Sequence, residues 1–153
     1  MRIIGIDPGP TNTAYAIVGP DGVVADTVPS EIAIGCIDPR RADIVIIEMI
    51  ACYGMPVGAE TFETCVWIGR YIESLSRMEI ATDRLTRVDV KQTLCHRVVG
   101  VNDSVVRQRL IDLYGGKETA IGRKKTPGPL YGIAGDEWQA LAVATAWKVK
   151  TNA

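Results

Sequence analysis

Apolar residues in the first third of the chain form short runs that turn residues separate. The runs "RIIGID", "TAYAIVG" and "VVADTV" are divided by Pro8-Gly9 and by the segment 20–22, both of which favour turns. Three short strands joined in this way predict an antiparallel meander. After the polar connection "DPRRAD", the continuous β-branched run from Ile44 to Ile47 predicts a strand that is buried on both faces.

Beyond these strands the apolar positions recur at helical spacing. Between Glu60 and Met78 the spacing predicts an amphipathic helix that lies on the sheet. The apolar residues that define its predicted inward face are Phe62, Val66, Tyr71 or Ile72, and Leu75.

The second half of the chain alternates one short strand with further helices. We expect a strand or strand end at 85–90, a helix that begins within "VKQTLCHRV", a helix capped at Asn102 or Asp103, and a final helix over about 136–150. The segment 115–132 is rich in Gly, Pro and Lys and longer than a typical connection, so we expect a mobile loop. Strands followed by alternating strands and helices predict an α/β fold, with helices on the faces of a mixed sheet.

Length and composition fit one globular domain. The chain has 153 residues, of which 47% are hydrophobic and 23% charged, which is enough to bury a core. No window approaches the roughly 20 unbroken apolar residues of a membrane helix. The start also lacks the apolar stretch and cleavage site of a signal peptide, so we expect a cytoplasmic protein with no membrane partner.

Neither the cysteines nor the histidine predict a zinc site. The spacing of the four cysteines matches no zinc pattern, and we expect reduced, partly buried thiols. His96 lies beside Arg97 without metal-ligand spacing, which indicates a surface or structural role. The cysteines are Cys36, Cys52, Cys65 and Cys95.

The net charge of −1 hides a strong asymmetry along the chain. Residues 87–125 hold nine Lys and Arg against four Asp and Glu, a balance of +5, whereas the remainder holds eight basic and fourteen acidic residues, a balance of −6. This pattern predicts one basic face and one acidic site, or else an ordinary solvated helix surface. The nine basic residues are Arg87, Lys91, Arg97, Arg107, Arg109, Lys117, Arg123, Lys124 and Lys125.

Three carboxylates stand where elements end or begin. Asp7 ends the first strand and Glu48 ends the buried run, so parallel pairing of these strands would place both at one sheet edge. Asp136 and Glu137 open the last helix, where the helix dipole favours ionised acids. Alone, Asp7 could be a turn residue and the helix acids could be caps. Together, the three carboxylates predict an oxygen-rich site for Mg²⁺ or Mn²⁺, in which two ions could clamp a phosphodiester.

The opening "GIDPGPTNT" is typical of two enzyme classes. One is the metal-dependent nucleases of the ribonuclease H fold, and the other is the phosphotransfer ATPases of the sugar-kinase and actin type. Those ATPases need two such halves, a second phosphate-binding loop and an adenosine pocket. The chain has room for one half and shows neither of the other features, which favours the nucleases.

Four stretches resemble the RuvC-type Holliday-junction resolvases of the ribonuclease H-like superfamily: "GIDPGPTNTAYAIV", "IVIIE", "VDVKQTL" and "GDEWQALAVATAW". The resemblance runs from Arg2 to Trp147, and "KKTPGPLYG" resembles the phage or prophage branch, which would act in a bacterial host cell. It implies one nuclease domain over 1–153, with a mixed five-stranded sheet flanked by helices. It also implies a crossover junction endodeoxyribonuclease of DNA recombination and repair. The resemblance further implies a homodimer that binds a four-way junction and makes paired symmetric nicks, which leave 5′-phosphate and 3′-hydroxyl ends.

The resemblance assigns roles to individual residues. Asp7 and Glu48 fall on the first and second metal carboxylates of the family, and Asp136 falls on the third. Lys91 falls on a basic residue that contacts the DNA phosphate near the active site. These four are therefore the expected catalytic residues, with Mg²⁺ or Mn²⁺ as cofactor and two ions per site.

The chain departs from the family at the fourth carboxylate, where it has Gln139. An amide oxygen can bind a metal ion but adds no charge. Glu137 is the alternative ligand, although it lies about 100° away around the helix. We therefore expect lowered metal affinity or activity, and a junction-binding protein with weakened catalysis stays an alternative. A broader nuclease of flaps or forks is another.

Contacts with DNA are expected from one aromatic and several basic residues. Family members carry an aromatic wedge shortly after the second carboxylate; here Ala51 stands three positions on and Tyr53 is the nearest aromatic. Tyr53 is the candidate wedge, or else a tyrosine half-buried under a loop. Arg107 and Arg109 cannot both occupy one helix face. The basic candidates for phosphate contacts are Lys91, Arg97, Arg107, Arg123, Lys124 and Lys125.

Overall fold

A five-stranded sheet in the order β3-β2-β1-β4-β5 forms the centre of the computed structural model, which describes residues 1–152. The first three strands pair antiparallel, whereas β1, β4 and β5 run parallel. The predicted meander and mixed sheet are therefore confirmed. The strands are β1 (Ile3–Asp7), β2 (Asn12–Gly19), β3 (Gly22–Pro29), β4 (Ile44–Met49) and β5 (Thr82–Thr86).

Helices cover both faces of this sheet. Between β3 and β4 the chain forms a short helix and two 3₁₀ turns, Ser30–Ile32 and Pro39–Arg41, of which only the second lies within the predicted polar connection. The four longer predicted helices are all present. The helices are α1 (Ala33–Ile37), α2 (Ala59–Arg77), α3 (Arg87–Cys95), α4 (Asp103–Leu113), α5 (Lys117–Ala120) and α6 (Glu137–Thr151).

The sheet separates two hydrophobic cores because successive strand residues point to opposite faces. Ile3 of β1 packs with the core that contains α6, whereas Ile4 packs with the core beneath α2. Helix α6 is the most enclosed element, since its residues 138–146 are all buried. It lies against the sheet with α3 and α4 packed beside it, which holds its first turn in a fixed place.

Gly5 allows α6 to approach β1 closely. A Cβ at this position would overlap the main-chain carbonyl oxygen of Ala140 and would lie 2.9 Å from the amide nitrogen of Ala144. Only a residue without a side chain therefore lets the helix backbone rest on the strand. This contact brings the start of α6 to the edge where β1 ends.

The inward face of α2 differs from the sequence-based prediction. The buried residues are Thr64, Ile68, Tyr71 and Leu75, whereas Phe62 and Val66 are 64% and 47% exposed. At 100° per residue, positions 62 and 66 point away from the buried row. The prediction for Phe62 and Val66 was wrong, and the two leave an apolar surface on the outside of α2.

A helix cap ends β5 earlier than predicted. The Thr86 hydroxyl accepts a 3.2 Å hydrogen bond from the amide of Asp89, whose carboxylate accepts a 2.8 Å bond from the Thr86 amide. This reciprocal capping box starts α3 at Arg87, so the strand predicted over 85–90 stops at Thr86.

The segment 115–132 contains more structure than the expected loop. It forms α5 and a small hairpin, made of β6 (Gly122–Arg123) and β7 (Thr126–Pro127). The Leu130 amide bonds the Ala120 carbonyl at 2.8 Å, which ties the hairpin back to α5.

All four cysteines are free, but three of them, Cys36, Cys52 and Cys65, are exposed instead of partly buried. Cys95 is half-buried, as expected. In residues 1–152, no helix combines the length and the apolar character needed to cross a membrane.

Candidate functional site

Asp7 and Glu48 leave the sheet at the same edge. Strands β1 and β4 are parallel neighbours whose pairing runs from Ile3 with Ile44 to Ile6 with Ile47. Asp7 and Glu48 are the next residues on the two strands. The two carboxylates therefore stand side by side at the carboxyl ends of the strands, where α/β folds hold their ligands.

Asp136 reaches this edge from the start of helix α6. It precedes α6 with φ −72° and ψ −11°, and its side chain makes no capping hydrogen bond. Its carboxylate is therefore not used as a helix cap. Its negative charge acts on Asp7, which places the third predicted acid near the first.

Burial and neighbouring acids raise the proton affinity of Asp7. Burial raises the pKa of Asp7 to about 8, and the negative charges of Glu48 and Asp136 contribute to the rise. Burial also raises the pKa of Glu48, whose side chain is only 14% exposed. Burial at this edge therefore favours the protonated form of Asp7, and the neighbouring negative charges add to that effect.

Arg87 supplies part of the compensating charge. Its Nη1 donates to Oε2 of Glu48 at 3.4 Å, and its Nη2 pairs with Oδ1 of Asp103. The guanidinium lowers the pKa of Glu48 both through its charge and through this hydrogen bond. Neither Arg87 nor Asp103 was predicted as a site residue.

Both residues carry a sequence signal that could have identified them. Arg87 lies four positions before Lys91, so the two share one face of α3. Asp103 follows Asn102, whose side chain caps α4 by accepting a 3.1 Å bond from the Val105 amide. The first turn of each helix points its charged residue towards the edge.

Lys91 lies near Glu48. Its charge lowers the pKa of Glu48, and it is half-buried on α3 one turn after Arg87. A cation in this position can meet a phosphate that approaches the carboxylates.

A cavity of about 390 Å³ opens beside Asp103 and Asp136. Gln139 is 8% exposed and lines it, and its Oε1 has no hydrogen-bond partner. Glu137 is engaged elsewhere, because its Oε2 accepts a 2.9 Å bond from the Ala134 amide. The lining residues are Asp103, Ser104, Arg107, Gly135, Asp136, Trp138 and Gln139.

The donors at this edge fit a hard divalent cation. Carboxylates and an unsatisfied amide oxygen are ligands that Mg²⁺ and Mn²⁺ favour, and the charges of Glu48 and Asp136 add to the effect of burial on the pKa of Asp7. Among residues 1–152, no three Asp, Glu, His or Cys side chains converge closely enough to hold an ion as they stand. Glu48 is instead paired with Arg87.

The loop after Asp7 is anchored from beneath by a buried polar network. The Thr13 hydroxyl lies 2.9 Å from the Ser30 hydroxyl and 2.7 Å from that of Tyr71, which donates to the Ser30 carbonyl at 2.8 Å. The indole Nε1 of Trp67 donates to the Pro10 carbonyl at 3.1 Å. Helix α2 therefore fixes the turn that follows the first carboxylate.

The arginines that follow α3 or lie on α4 line two different surfaces. Arg107 lies over the ring of Trp138, 4.7 Å from its centroid, and lines the cavity at the acids. Arg97 and Arg109 line a larger groove of about 740 Å³ between the two helices, and the Nε of Arg109 donates to the Leu94 carbonyl at 2.9 Å. Arg107 and Arg109 thus point in different directions, as expected. Ser104 lines both the cavity and the groove.

The other DNA-contact candidates lie outside the cavity. Tyr53 is 61% exposed with a left-handed φ of 47°, in the loop that follows β4, so it is not buried under that loop. Arg123 belongs to β6, and Lys124 and Lys125 form the exposed turn of the hairpin. None of these four lines the cavity. His96 is exposed and closes α3 in a left-handed conformation.

Comparisons with known proteins connect the fold to solved structures. No protein-family model matches the chain. No curated protein matches its sequence significantly either.

Solved structures do resemble it over nearly its whole length. Thermus thermophilus RuvC superimposes with a TM-score of 0.68 at 18% identity, covering 99% of this chain and 96% of that one. The T. thermophilus RuvC in complex with a Holliday junction substrate gives a TM-score of 0.69 at 17% identity, covering 99% and 95%. The chain therefore has the ribonuclease H-like α/β fold.

Proposed function

We propose that this protein is a divalent-metal-dependent endonuclease that resolves four-way DNA junctions by paired symmetric nicks, leaving 5′-phosphate and 3′-hydroxyl ends. The observation that carries the proposal is the meeting of Asp7, Glu48 and Asp136 at one sheet edge, with the pKa of Asp7 raised to about 8. Such an edge binds divalent cations, and phosphodiester cleavage is the chemistry that this donor set supports.

In the proposed nuclease, the residues at the edge have two roles, metal binding and phosphate binding. Asp7, Glu48 and Asp136 would hold Mg²⁺ or Mn²⁺, and the Oε1 of Gln139 would accept a hydrogen bond or add a neutral ligand. Two bound ions would activate the attacking water and stabilise the leaving oxygen. Lys91 and Arg107 would hold the phosphate beside the carboxylates.

The choice of a branched substrate is supported by the fold and the basic surface. The neighbour with a TM-score of 0.69 was solved with a Holliday junction substrate. In this chain Ser104 joins the cavity at the acids to the groove that holds Arg97 and Arg109. We propose that a DNA strand follows this path, while Tyr53 and the exposed hairpin contact other parts of the junction.

Paired nicking requires two active sites, and we propose a homodimer. The exposed pair of Phe62 and Val66 on α2 supports an apolar interface there, since large apolar residues one helical turn apart rarely face water without a partner. Sedimentation at micromolar concentration should give a dimer, and Phe62→Glu should give a monomer. A wild-type monomer, with and without junction DNA, would contradict paired cleavage.

The decisive experiment compares cleavage of a synthetic four-way junction, a flap, a fork and a linear duplex in Mg²⁺ and in Mn²⁺. We expect symmetric nicks in the junction and little cutting of the duplex. Asp7→Asn should abolish cutting while it retains junction binding. If that variant still cuts, the nuclease activity belongs to another site or to a contaminant.

Two outcomes would support other functions. Junction binding without cutting in either metal would indicate a binding protein, for which the neutral Gln139 is the argument. Faster cutting of flaps or forks would indicate a broader branched-DNA nuclease.

A further inference from the structure

Arg87 is held between two carboxylates of different exposure. Glu48, at the end of β4, is 14% exposed, and Asp103, at the start of α4, is 66% exposed. The guanidinium itself is 25% exposed and contacts both. Its contact with Glu48 is long at 3.4 Å, whereas Asp103 is the closer partner.

The cavity beside this bridge contains a buried amide oxygen without a hydrogen-bond partner. This atom is Oε1 of Gln139, which lines the same cavity as Asp103 and Asp136. An unsatisfied buried oxygen is costly unless something binds it, and the proposed divalent cation or its water would supply that partner. Arg87 brings a positive charge to the same edge and would compete with that cation for Glu48.

We infer that Asp103 is a positioning residue that draws the charge of Arg87 away from Glu48 and so keeps Glu48 available to a divalent ion. The inference rests on the proposed metal site. With Asp103 present, its carboxylate offsets part of the positive charge that Arg87 brings to Glu48. Without Asp103, the guanidinium would turn to Glu48 alone, and the edge would lose one negative charge.

This role differs from direct metal ligation in a measurable way. If Asp103 acts through Arg87, then its removal matters only while Arg87 is present. If Asp103 binds the ion itself, then its removal weakens binding whether or not Arg87 is present. A double-mutant cycle between Arg87 and Asp103 separates the two cases.

The experiment measures Mn²⁺ affinity by electron paramagnetic resonance on the whole chain without DNA, in the wild type, Asp103→Asn, Arg87→Gln and the double variant. We expect Asp103→Asn to weaken Mn²⁺ binding by about fivefold to tenfold, as for the loss of one charge at a partly exposed site. Arg87→Gln should bind Mn²⁺ at least as tightly as the wild type, and the double variant should match Arg87→Gln. Asp112→Asn, an exposed change on the same helix, should have no effect.

Thermal unfolding without metal checks that each variant is folded before affinities are compared. An equal loss of affinity from Asp103→Asn with and without Arg87 would overturn the inference and make Asp103 a ligand. No loss in either background would overturn it as well. A wild-type protein that binds no Mn²⁺ would overturn the proposed function together with this inference. If the wild type binds Mn²⁺, then either of the two results above overturns only the inference about Asp103, and the proposed function stands.

Discussion

Gly5 of β1 lies directly against the main chain of Ala140 in α6. The contact sets how far the helix sits from the sheet, and Asp136 precedes the same helix by less than one turn. The distance between Asp7 and Asp136 therefore depends on a glycine two residues before Asp7, which itself carries no chemistry.

Gly5→Ala should destabilise the fold by about 3 kcal/mol, because the added methyl group must displace the main chain of α6. Urea unfolding measures the change. Gly69→Ala is the matched control: position 69 is exposed on α2 with open space around it, and alanine there should stabilise the protein by about 0.5–1 kcal/mol. Similar effects at the two positions would contradict the close packing of α6 on β1.

Asp7→Asn should raise stability at high pH. The pKa of Asp7 rises from 3.8 in a free side chain to about 8 in the fold, so between these values the folded protein retains a proton that the unfolded chain has lost. The free energy of unfolding of the wild type therefore falls as the pH rises through this window, and the asparagine variant lacks that fall. At pH 8 we expect the variant to be more stable by about 2 kcal/mol, measured by thermal unfolding.

The same pair of proteins tests the metal site. Mg²⁺ or Mn²⁺ at pH 8 should raise the melting temperature of the wild type, because a ligand that binds only the folded state stabilises it. The gain should be small in Asp7→Asn, while Asp112→Asn should respond as the wild type does. An undiminished gain in Asp7→Asn would mean that the stabilising ion binds elsewhere.

Tyr71→Phe should cost about 1–2 kcal/mol, because the buried Thr13 hydroxyl and the Ser30 carbonyl would each lose a hydrogen-bond partner. The measurement is chemical unfolding, with the exposed Tyr131→Phe as control, which should be neutral. We also expect weaker Mn²⁺ binding, since the network holds the turn after Asp7. A neutral Tyr71→Phe would indicate that water replaces the phenol.

Arg107→Ala should weaken binding of junction and duplex DNA alike and lower the slope of log affinity against log salt by about 0.9, as for the loss of one phosphate contact. Fluorescence anisotropy at several salt concentrations gives the slope. Arg77→Ala, at the end of α2 where Arg77 pairs with Glu73, is the control and should leave the slope unchanged. An unchanged slope for Arg107→Ala would remove this residue from the proposed DNA path.

The sequence predicted the parts of the site that follow from strand ends. Asp7 and Glu48 each come directly after a buried apolar run, and parallel pairing then puts them together. Phe62 and Val66 were misplaced because helical spacing alone does not say which of two apolar stripes faces the sheet, and here the buried row contains Thr64 and Tyr71, whose hydroxyl joins the polar network. Arg87 and Asp103 were missed because their pairing depends on the packing of α3 against α4, although each residue has a local signal in the first turn of its own helix.

The late position of helix α6 in the sequence determines when, during synthesis, the three acids can come together. A ribosome releases Asp7 and Glu48 with the early strands, but Asp136 follows much later, ahead of the helix whose buried residues join the core on that face of the sheet. A chain still under synthesis thus has two of the three acids and lacks the element that brings the third to them. The proposed nuclease would therefore gain its complete set of acids only after α6 has docked on the sheet.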